Sequence, residues 1–293
     1  MYDLIPLTGN AYVIECPSQI GVVKVAPDEV VLIDSGNNKD AGKRVLKVLD
    51  GQAWRLRAVY NTHFHADHIG GNHILQERTG CAVYAPGAEL VFVQHPELEP
   101  TFLYGAAPPK PLCNRFLLAE ACNARLLQDE ALPKGLTAVP LSGHTPCMTG
   151  FLTEDGVFYI ADSVCGDVAL EKYRVFYLHD VEGYLRTLEV LEHTQADWFV
   201  PSHAPATRDI RPLVQRNRDV IAQIADLLCE ICKQPRLFDE LLAEVFARYS
   251  LKMDMTQYAL VGSAVHAYLA YLMAQGRIAP AADGPRLVWK SAE

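Results

Sequence analysis

A cluster of histidine and aspartate side chains follows directly after an apolar run that predicts a buried strand. The run spans residues 56–60, and residues 63–69 read His-Phe-His-Ala-Asp-His-Ile. Imidazole and carboxylate groups are the ligands that borderline divalent metals such as Zn²⁺ accept. Because one turn of backbone can direct all of these groups into a common space, the chain is constrained to form a strand, a turn and a helix around a metal site.

The spacing within the cluster indicates two directions of approach to a metal. His63 and His65 are two residues apart, so they point to the same side of an extended segment. The pair Asp67-His68 then opens a helix, which we expect to continue over 69–78 and to end at Gly80. Two pairs of ligands aimed differently suit two adjacent metal ions better than one. The alternative is a set of structural histidines that make hydrogen bonds.

The pattern His-x-His-x-Asp-His, followed by Gly70-Gly71, resembles the metal-binding signature of the metallo-β-lactamase superfamily. Four further stretches resemble the family's remaining signatures, in the family's order. In residues 30–36 and 157–163, an aspartate closes an apolar strand: Asp34 in the first stretch and Asp162 in the second. The other two stretches are the turn Gly143-His144-Thr145-Pro146 and residues 198–203, which end at His203. The resemblance covers residues 1–208. Cys147 and Ala161 stand where many relatives have glycine.

The resemblance implies a set of seven metal ligands. One metal would be held by His63, His65 and His144, and the other by Asp67, His68 and His203, with Asp162 as a bridge between them. Asp67 and Asp162 would also take part in catalysis. Asp34 would orient the histidine turn without binding metal.

The fold that the resemblance implies is an α/β fold, the αββα sandwich of two mixed sheets between outer helices. The hydrophobic pattern agrees with it, because apolar runs of strand length alternate with helical segments. The expected strands are residues 11–15, 21–25, 29–33, 56–60, 82–85, 136–140, 150–153, 157–160 and 197–200, and the expected helices include 40–49 and 182–193. Residues 1–208 would form the catalytic domain.

Residues 86–133 interrupt this alternation with a segment rich in proline, leucine and aromatic residues. An insertion of this size on an enzyme scaffold is typical of a pocket wall or lid, and the alternative is an insertion that only packs. From this insertion we predict Phe102 and Tyr104 as substrate-binding residues. From the segment after Asp162 we add Tyr173, Tyr177 and His179, for which an exposed loop is the alternative.

The C-terminal part, residues 209–293, has a different character. Helices are expected over 214–232, 238–249 and 256–275, followed by a hairpin over 278–289 that turns at Asp283-Gly284. Helices followed by a hairpin resemble a winged helix, which some members of the superfamily carry at this position. A module that reads DNA would be basic, whereas residues 209–293 contain 10 Lys+Arg against 10 Asp+Glu. We therefore expect a structural or dimerising role, and a dimerising role would make the protein a homodimer.

Charge and hydropathy limit the partners. A net charge of −9 argues against nucleic acid, because binding to a phosphate backbone needs clustered Lys and Arg. The beginning Met1-Tyr2-Asp3-Leu4 lacks the features of a signal peptide, and no apolar window of about 18 residues predicts a membrane span. We therefore expect a cytoplasmic protein without a membrane partner, in which the eight cysteines are reduced thiols.

The predicted function is a dinuclear metal-dependent hydrolase that uses a metal-bound hydroxide on a small-molecule substrate: an ester, a thioester or a lactone. Two divalent ions are expected, with Zn²⁺ favoured and iron or manganese as alternatives, because such ions lower the pKa of bound water to about 7. The first rival function is phosphodiester cleavage of RNA by an endoribonuclease of the same fold, which the acidic chain disfavours. The second is a non-heme iron oxygenase, which the full set of seven ligands disfavours.

Overall fold

A seven-stranded sheet forms the first half of the computed structural model, which describes residues 2–127 and 132–292. Its strands lie side by side in chain order: β1 (Asp3–Thr8), β2 (Ala11–Glu15), β3 (Ile20–Ala26), β4 (Glu29–Ile33), β5 (Arg55–Tyr60), β6 (Ala82–Ala85) and β7 (Ala124–Leu126). Neighbours are antiparallel from β1 to β4 and parallel from β4 to β7. The central strand β4 is a continuous apolar run with four buried residues, as expected for a strand covered on both faces.

A four-stranded sheet forms the second half and packs face to face against the first. Its strands are β8 (Leu136–Pro140), β9 (Thr149–Thr153), β10 (Val157–Ala161) and β11 (Trp198–Pro201), in the spatial order β11-β10-β9-β8. The two inner faces share a core to which Val31 and Tyr60 contribute from one sheet and Phe151 and Tyr159 from the other. The Tyr159 hydroxyl donates to the Tyr12 carbonyl at 2.8 Å, so a hydrogen bond also joins the two sheets.

Helices cover the outer face of each sheet. They are α1 (Lys39–Gly51), α2 (Ala66–Ile69), α3 (Asn72–Thr79), α4 (Glu89–Gln94), α5 (Leu98–Tyr104), α6 (Asp167–Tyr173), α7 (Val181–His193), α8 (Arg211–Ile231), α9 (Phe238–Arg248) and α10 (Met255–Ala274). Helices α1 to α4 pack on the first sheet through residues such as Val45 and Leu75. Helices α6 to α10 pack on the second through residues such as Leu188 and Leu269. The predicted αββα arrangement is confirmed.

The helix expected over 69–78 is interrupted, and this part of the prediction is wrong. Helix α2 ends at Ile69 and α3 begins at Asn72, with the two glycines between them. A Cβ atom on Gly71 would lie 2.2 Å from the Ser35 carbonyl oxygen, so this backbone approaches the end of β4 more closely than any side chain allows. The predicted end at Gly80 is confirmed, where the left-handed φ of 70° closes α3.

The insertion at 86–133 contains more regular structure than predicted, although residues 128–131 lie outside the described part of the chain. It carries α4, α5, strand β7 and a short 3₁₀ helix (Lys110–Leu112). Leu103 and Leu112 pack with Ala259 of α10, so the insertion rests on the C-terminal helices. Strand β1 and helix α6 were also not predicted from the sequence.

The C-terminal part contains the expected helices α8, α9 and α10, followed by the hairpin of β12 (Ile278–Asp283) and β13 (Arg286–Ser291). Its helices share one core with the second sheet, since Leu228 and Tyr268 pack in the same cluster as Phe158. The likeness to a winged helix and the domain boundary at residues 208 and 209 stay predictions. Within the described residues, no helix is both long enough and apolar enough to cross a membrane.

Candidate metal centre

The histidine cluster lies at the carboxyl end of β5, where the chain turns into α2. The neighbouring strand end is fixed to this turn, because the amide of Asp34 donates to the Tyr60 carbonyl at 3.0 Å and the amide of Ser35 donates to the His68 carbonyl at 2.8 Å. His63 and His68 are fully buried. The turn therefore holds its side chains inside the protein, at the seam between the two sheets.

Three imidazoles meet on one side of this seam. Nε2 of His63 lies 3.1 Å from Nδ1 of His65, and Nε2 of His144 lies 3.0 Å from the same atom. Burial lowers the pKa of His63 well below its usual value, that of His65 to about 3, and that of His144 as well. The rings are therefore neutral at pH 7, and three nitrogens that can donate electron pairs converge on one point.

In His63 and His144, the ring nitrogen that points away from the other imidazoles contacts a neighbouring oxygen atom. Nδ1 of His63 lies 3.0 Å from Oγ1 of Thr62, and Nδ1 of His144 donates to the Tyr177 carbonyl across 3.2 Å. A histidine that ligates a metal usually makes such a contact with its second nitrogen, which fixes the orientation of the ring. The first group is therefore aligned in advance for a metal ion.

A second group lies on the other side of the seam and consists of Asp67, His68 and His203. Oδ2 of Asp67 lies 3.2 Å from Nε2 of His203 and 3.6 Å from Nε2 of His68. The donor atoms within each group all lie within 4.8 Å of one another, and Asp162 is counted with the first group. The structure thus brings together all seven side chains that were predicted as ligands, in the predicted two sets.

The Asp162 carboxylate faces both groups. Its Oδ1 lies 3.4 Å from Nε2 of His68, while its Oδ2 lies 3.4 Å from Nε2 of His144 and 3.4 Å from Nε2 of His203. This is the position that a bridging carboxylate requires. Burial opposes ionisation of Asp162, but the neighbouring His203 and His68 outweigh it and hold the pKa of Asp162 well below its usual value.

The histidines of the second group differ electrostatically from those of the first. The Asp162 carboxylate raises the pKa of His203 to about 11, against the effect of burial. Burial alone would lower the pKa of His68, but the surrounding carboxylates, led by Asp67, raise it well above the usual value. Without a cation, these two rings carry the positive charge that balances the buried carboxylates.

Two buried polar atoms test whether a metal fits this site. Nε2 of His68 and Oδ1 of Asp162 are excluded from solvent and lie 3.4 Å apart without forming a hydrogen bond, and neither has a hydrogen-bond partner elsewhere among residues 2–127 and 132–292. Native proteins rarely leave such atoms unpaired, because each costs about 1–3 kcal/mol. Nitrogen and carboxylate donors that converge around these atoms are the set that a borderline divalent cation accepts. The residues therefore fit a divalent metal ion.

Residues outside the seven orient the second group. Asp34 accepts from Nδ1 of His68 at 2.8 Å and from the amide of Thr62 at 2.8 Å, which is the position predicted for a residue that orients the histidine turn. The hydroxyl of Ser18 donates to Oδ2 of Asp67 at 2.7 Å, and Nδ1 of His203 donates to the Pro17 carbonyl at 3.1 Å. The β2–β3 turn was not predicted to contribute to the site, because nothing in the sequence around Ser18 indicates a contact with a metal ligand.

The residues predicted to bind substrate lie at different distances from the centre. The Tyr177 ring packs on two predicted ligands, with its centroid 5.4 Å from His65 and 5.7 Å from His144. Phe102 lies further out and contacts the exposed His179 ring at 5.7 Å. A row of rings connects it to the centre, since Phe102 contacts Phe92, Phe92 stacks on Phe64 at 4.2 Å, and Phe64 contacts His65.

The other two predicted substrate residues lie apart from this row. Tyr173 lines a groove of about 360 Å³ that also contains His203, so it borders the second group. Tyr104 is 42% exposed and lies near Tyr258 of α10, and no contact of its ring with the histidines is found in the described residues. Tyr177 therefore lies against the first group and Tyr173 borders the second, whereas Phe102, His179 and Tyr104 lie further from the centre.

Two buried glutamates of the insertion were missed by sequence reasoning. Glu89 and Glu99 are 1% and 3% exposed. Burial raises the pKa of Glu89 to about 7, and burial together with the Asp67 carboxylate raises the pKa of Glu99 well above its usual value. A glutamate in the first turn of a helix is ordinarily solvated, so the sequence gives no signal that these two would be enclosed.

Comparison with known proteins agrees with the fold. A profile of the metallo-beta-lactamase superfamily matches residues 5–203. A hydroxyacylglutathione hydrolase of Methylococcus capsulatus is 56% identical over 206 residues, which cover 64% of this chain and 70% of that protein. A probable metallo-hydrolase of Bacillus subtilis is 28% identical over 173 residues, or 56% of this chain, and the chain spans less than two thirds, 63%, of its length.

A solved structure resembles nearly the whole chain. The beta-lactamase domain protein of Burkholderia ambifaria superimposes with a TM-score of 0.75 and 17% identity, over 99% of this chain and 94% of that one. At this identity the likeness shows the fold alone. The αββα fold and the buried centre of histidines and aspartates at its seam are those of metal-dependent hydrolases, which is the predicted class of protein. Since the family profile covers more than half of the sequence, the chain belongs to the metallo-β-lactamase superfamily.

Proposed function

We propose that this protein is a dinuclear hydrolase that cleaves a small thioester, with esters and lactones as related substrates. The observation that carries the proposal is the position of Asp162, whose carboxylate lies 3.4 Å from His144 of the first group and 3.4 Å from both His68 and His203 of the second. A single carboxylate shared in this way supports two adjacent ions, with Zn²⁺ as the expected metal and iron or manganese as alternatives.

The choice of a thioester is supported by one relative. The Methylococcus protein is named for the hydrolysis of hydroxyacylglutathione, in which an acyl group is joined to a thiol. This bond is one of the three that the sequence predicted. The electrophile in each of them is a carbonyl carbon, so the same centre would serve for esters and lactones.

The chain's own residues would hold the metal ions that activate water and polarise the substrate carbonyl. Bound divalent ions supply Lewis acidity and lower the pKa of water from 15.7 toward about 7. His63, His65 and His144 are neutral and would hold one ion, whereas Asp67 and Asp162 bring negative charge to the other side of the centre. The unequal ligand sets would distinguish the two positions in the charge that they present.

Asp67 presents an ionised carboxylate at the open side of the centre, because, against the effect of burial, His68 and His203 hold its pKa below the usual value. Its side chain is 33% exposed, and its Oδ2 accepts from the Ser18 hydroxyl at 2.7 Å while lying 3.2 Å from Nε2 of His203. On the other side, the Tyr177 ring packs against His65 and His144. The exposed Phe102 ring, at the outer end of the aromatic row, would contact the part of the substrate that does not react.

A substrate panel with metal analysis tests the proposal. The protein is purified without chelator, its metal content is measured by elemental analysis, and it is then assayed with a hydroxyacylglutathione, a simple acyl thioester, a lactone, a β-lactam and a phosphodiester. We expect two metal ions per chain and fastest turnover of a thioester. A stoichiometry that stays at one after metal is supplied would exclude the dinuclear assignment, and cleavage of the phosphodiester alone would favour the nuclease.

A further inference from the structure

Glu89 joins the two loops that carry the first group of predicted ligands. Its Oε2 accepts from the amide of Phe64 at 3.2 Å, and Phe64 lies between His63 and His65 in the sequence. Its Oε1 accepts from the hydroxyl of Thr145 at 2.9 Å and from the amide of Cys147 at 2.7 Å. Since Thr145 directly follows His144, one carboxylate is bonded to both loops.

The surroundings of Glu89 make this connection rigid. The side chain is 1% exposed, so it cannot exchange its three donors for water. Burying a carboxylate costs free energy unless donors surround it, and all three of these donors come from the two loops. A second contact links the same elements, because Phe92 of α4 stacks on Phe64 at 4.2 Å.

We propose that Glu89 is a positioning residue that fixes the distance between the loop of His63 and His65 and the loop of His144, and thereby the geometry and affinity of the first metal position. This inference rests on the proposed dinuclear function. It gives the insertion at 86–133 a second role beside that of a pocket wall, because α4 supplies the residue that holds the ligand loops together. The hydrogen bonds of Glu89 go to Phe64, Thr145 and Cys147, which neighbour the predicted ligands in the chain, so Glu89 acts on the ligands through these neighbours.

A glutamine at position 89 distinguishes the positioning role of the carboxylate from a role in packing alone. Glu89→Gln has nearly the same shape, but its amide offers one oxygen and one NH₂ group. If the oxygen faces Thr145 and Cys147, the NH₂ group faces the Phe64 amide, and the reverse orientation releases the His144 loop. Either way, one loop loses its acceptor. Glu97→Gln is the matched control, since Glu97 lies in the same insertion with its side chain 68% exposed.

The experiment is a titration of metal-free protein with Co²⁺, in which the visible absorption reports the ligand geometry and competition with a chelator gives the affinity. We expect Glu89→Gln to bind the first equivalent about 10- to 100-fold more weakly than wild type, with an altered spectrum, while Glu97→Gln matches wild type. Thr145→Val removes the hydroxyl donor from the His144 loop alone, and it should change affinity and spectrum in the same direction. This second variant tests the proposal if Glu89→Gln does not fold.

The outcomes separate this proposal from the proposed function. Wild-type affinity and spectrum in both Glu89→Gln and Thr145→Val, even with a lowered melting temperature, would show that Glu89 only packs and would overturn the proposal alone. Uptake of one equivalent by wild type would exclude the second metal and leave the Glu89 test intact. Failure of wild type to bind Co²⁺ at all would overturn both.

Discussion

Nδ1 of His68 lies 2.8 Å from Oδ2 of Asp34, and both side chains are almost completely buried. Asp34 adopts a φ of 64°, in the left-handed region that non-glycine residues seldom occupy. The conformation is held by the bond from the Asp34 amide to the Tyr60 carbonyl and by Thr62, whose amide and hydroxyl both donate to the carboxylate. The strained backbone of Asp34 thus directs its carboxylate toward the predicted ligand His68 and toward Thr62 in the turn before the ligands.

We predict that Asp34→Asn weakens metal binding at the second group by about 10- to 100-fold, because an amide offers one acceptor oxygen where the carboxylate offers two. Metal content after dialysis against a weak chelator measures the loss. Asp219→Asn, at an exposed position on α8, serves as the control. Full retention of two metals in Asp34→Asn would show that His68 is oriented by other contacts.

Asp162→Ala should lower metal content and turnover together, since the substitution removes a carboxylate that faces both groups. We expect a loss of at least about 100-fold in kcat/KM, measured beside elemental analysis of the same preparation. If activity and two metals persisted, another carboxylate would have to bridge. Asp167 is the nearest in sequence, but its side chain is 73% exposed and pairs with Arg216.

Phe102→Ala should reduce kcat/KM about ten- to hundredfold without changing metal content, because the exposed ring ends the aromatic row that leads to His65. Phe116→Ala provides the control, since Phe116 lies in the same insertion and is 68% exposed. We expect a smaller effect for Tyr104→Ala. Unchanged kinetics with a lowered melting temperature in Phe102→Ala would mean that the ring only packs.

The stability that Glu89 contributes should fall as the pH rises. Burial raises the pKa of Glu89 from 4.5 to about 7 in the folded protein, so the folded state binds more protons than the unfolded state between these values. The contribution is complete below pH 4.5 and is lost as the pH passes through about 7, by up to about 3 kcal/mol.

Urea unfolding of metal-free protein at several pH values tests this dependence. The measured quantity is the difference in free energy of unfolding between wild type and Glu89→Gln, which should decrease with rising pH. Glu99 also has a raised pKa, but both proteins contain it, so the difference isolates Glu89. A difference that is constant between about pH 5 and about pH 8 would contradict the raised pKa.

Asn217→Ala should destabilise the protein by about 3 kcal/mol, because it leaves buried backbone groups without partners. The Asn217 side chain accepts from the Cys165 amide and the Tyr184 hydroxyl, and it donates to the carbonyls of Cys165 and Leu213. It therefore fastens α8 to the loop that follows Asp162. Urea unfolding measures the effect, with Gln215→Ala on the exposed side of α8 as the control. Equal stability of the two variants would contradict this role.

Strands and ligand spacings that depend on neighbouring residues could be predicted from the sequence. Features that depend on contacts between distant parts of the chain could not. The run of buried residues in β4 and the spacing of His63 and His65 follow from local periodicity. The break between α2 and α3 depends instead on Ser35, whose carbonyl oxygen approaches Gly71 from another strand. Glu89 reads as a solvated helix residue until folding brings Thr145 to it across 56 positions of the chain.

A metal ion held between the two sheets would make cation supply a determinant of the protein's lifetime. His63 and His68 belong to the first sheet's turn, whereas His144 and His203 follow strands of the second, so only the docked sheets present a complete set. Binding to the docked state alone would stabilise it by about 4 kcal/mol when free metal exceeds Kd a thousandfold. In a metal-starved cell that increment would be absent, so a larger fraction of the chain would be unfolded and open to proteases, and scarcity would reduce the amount of idle enzyme.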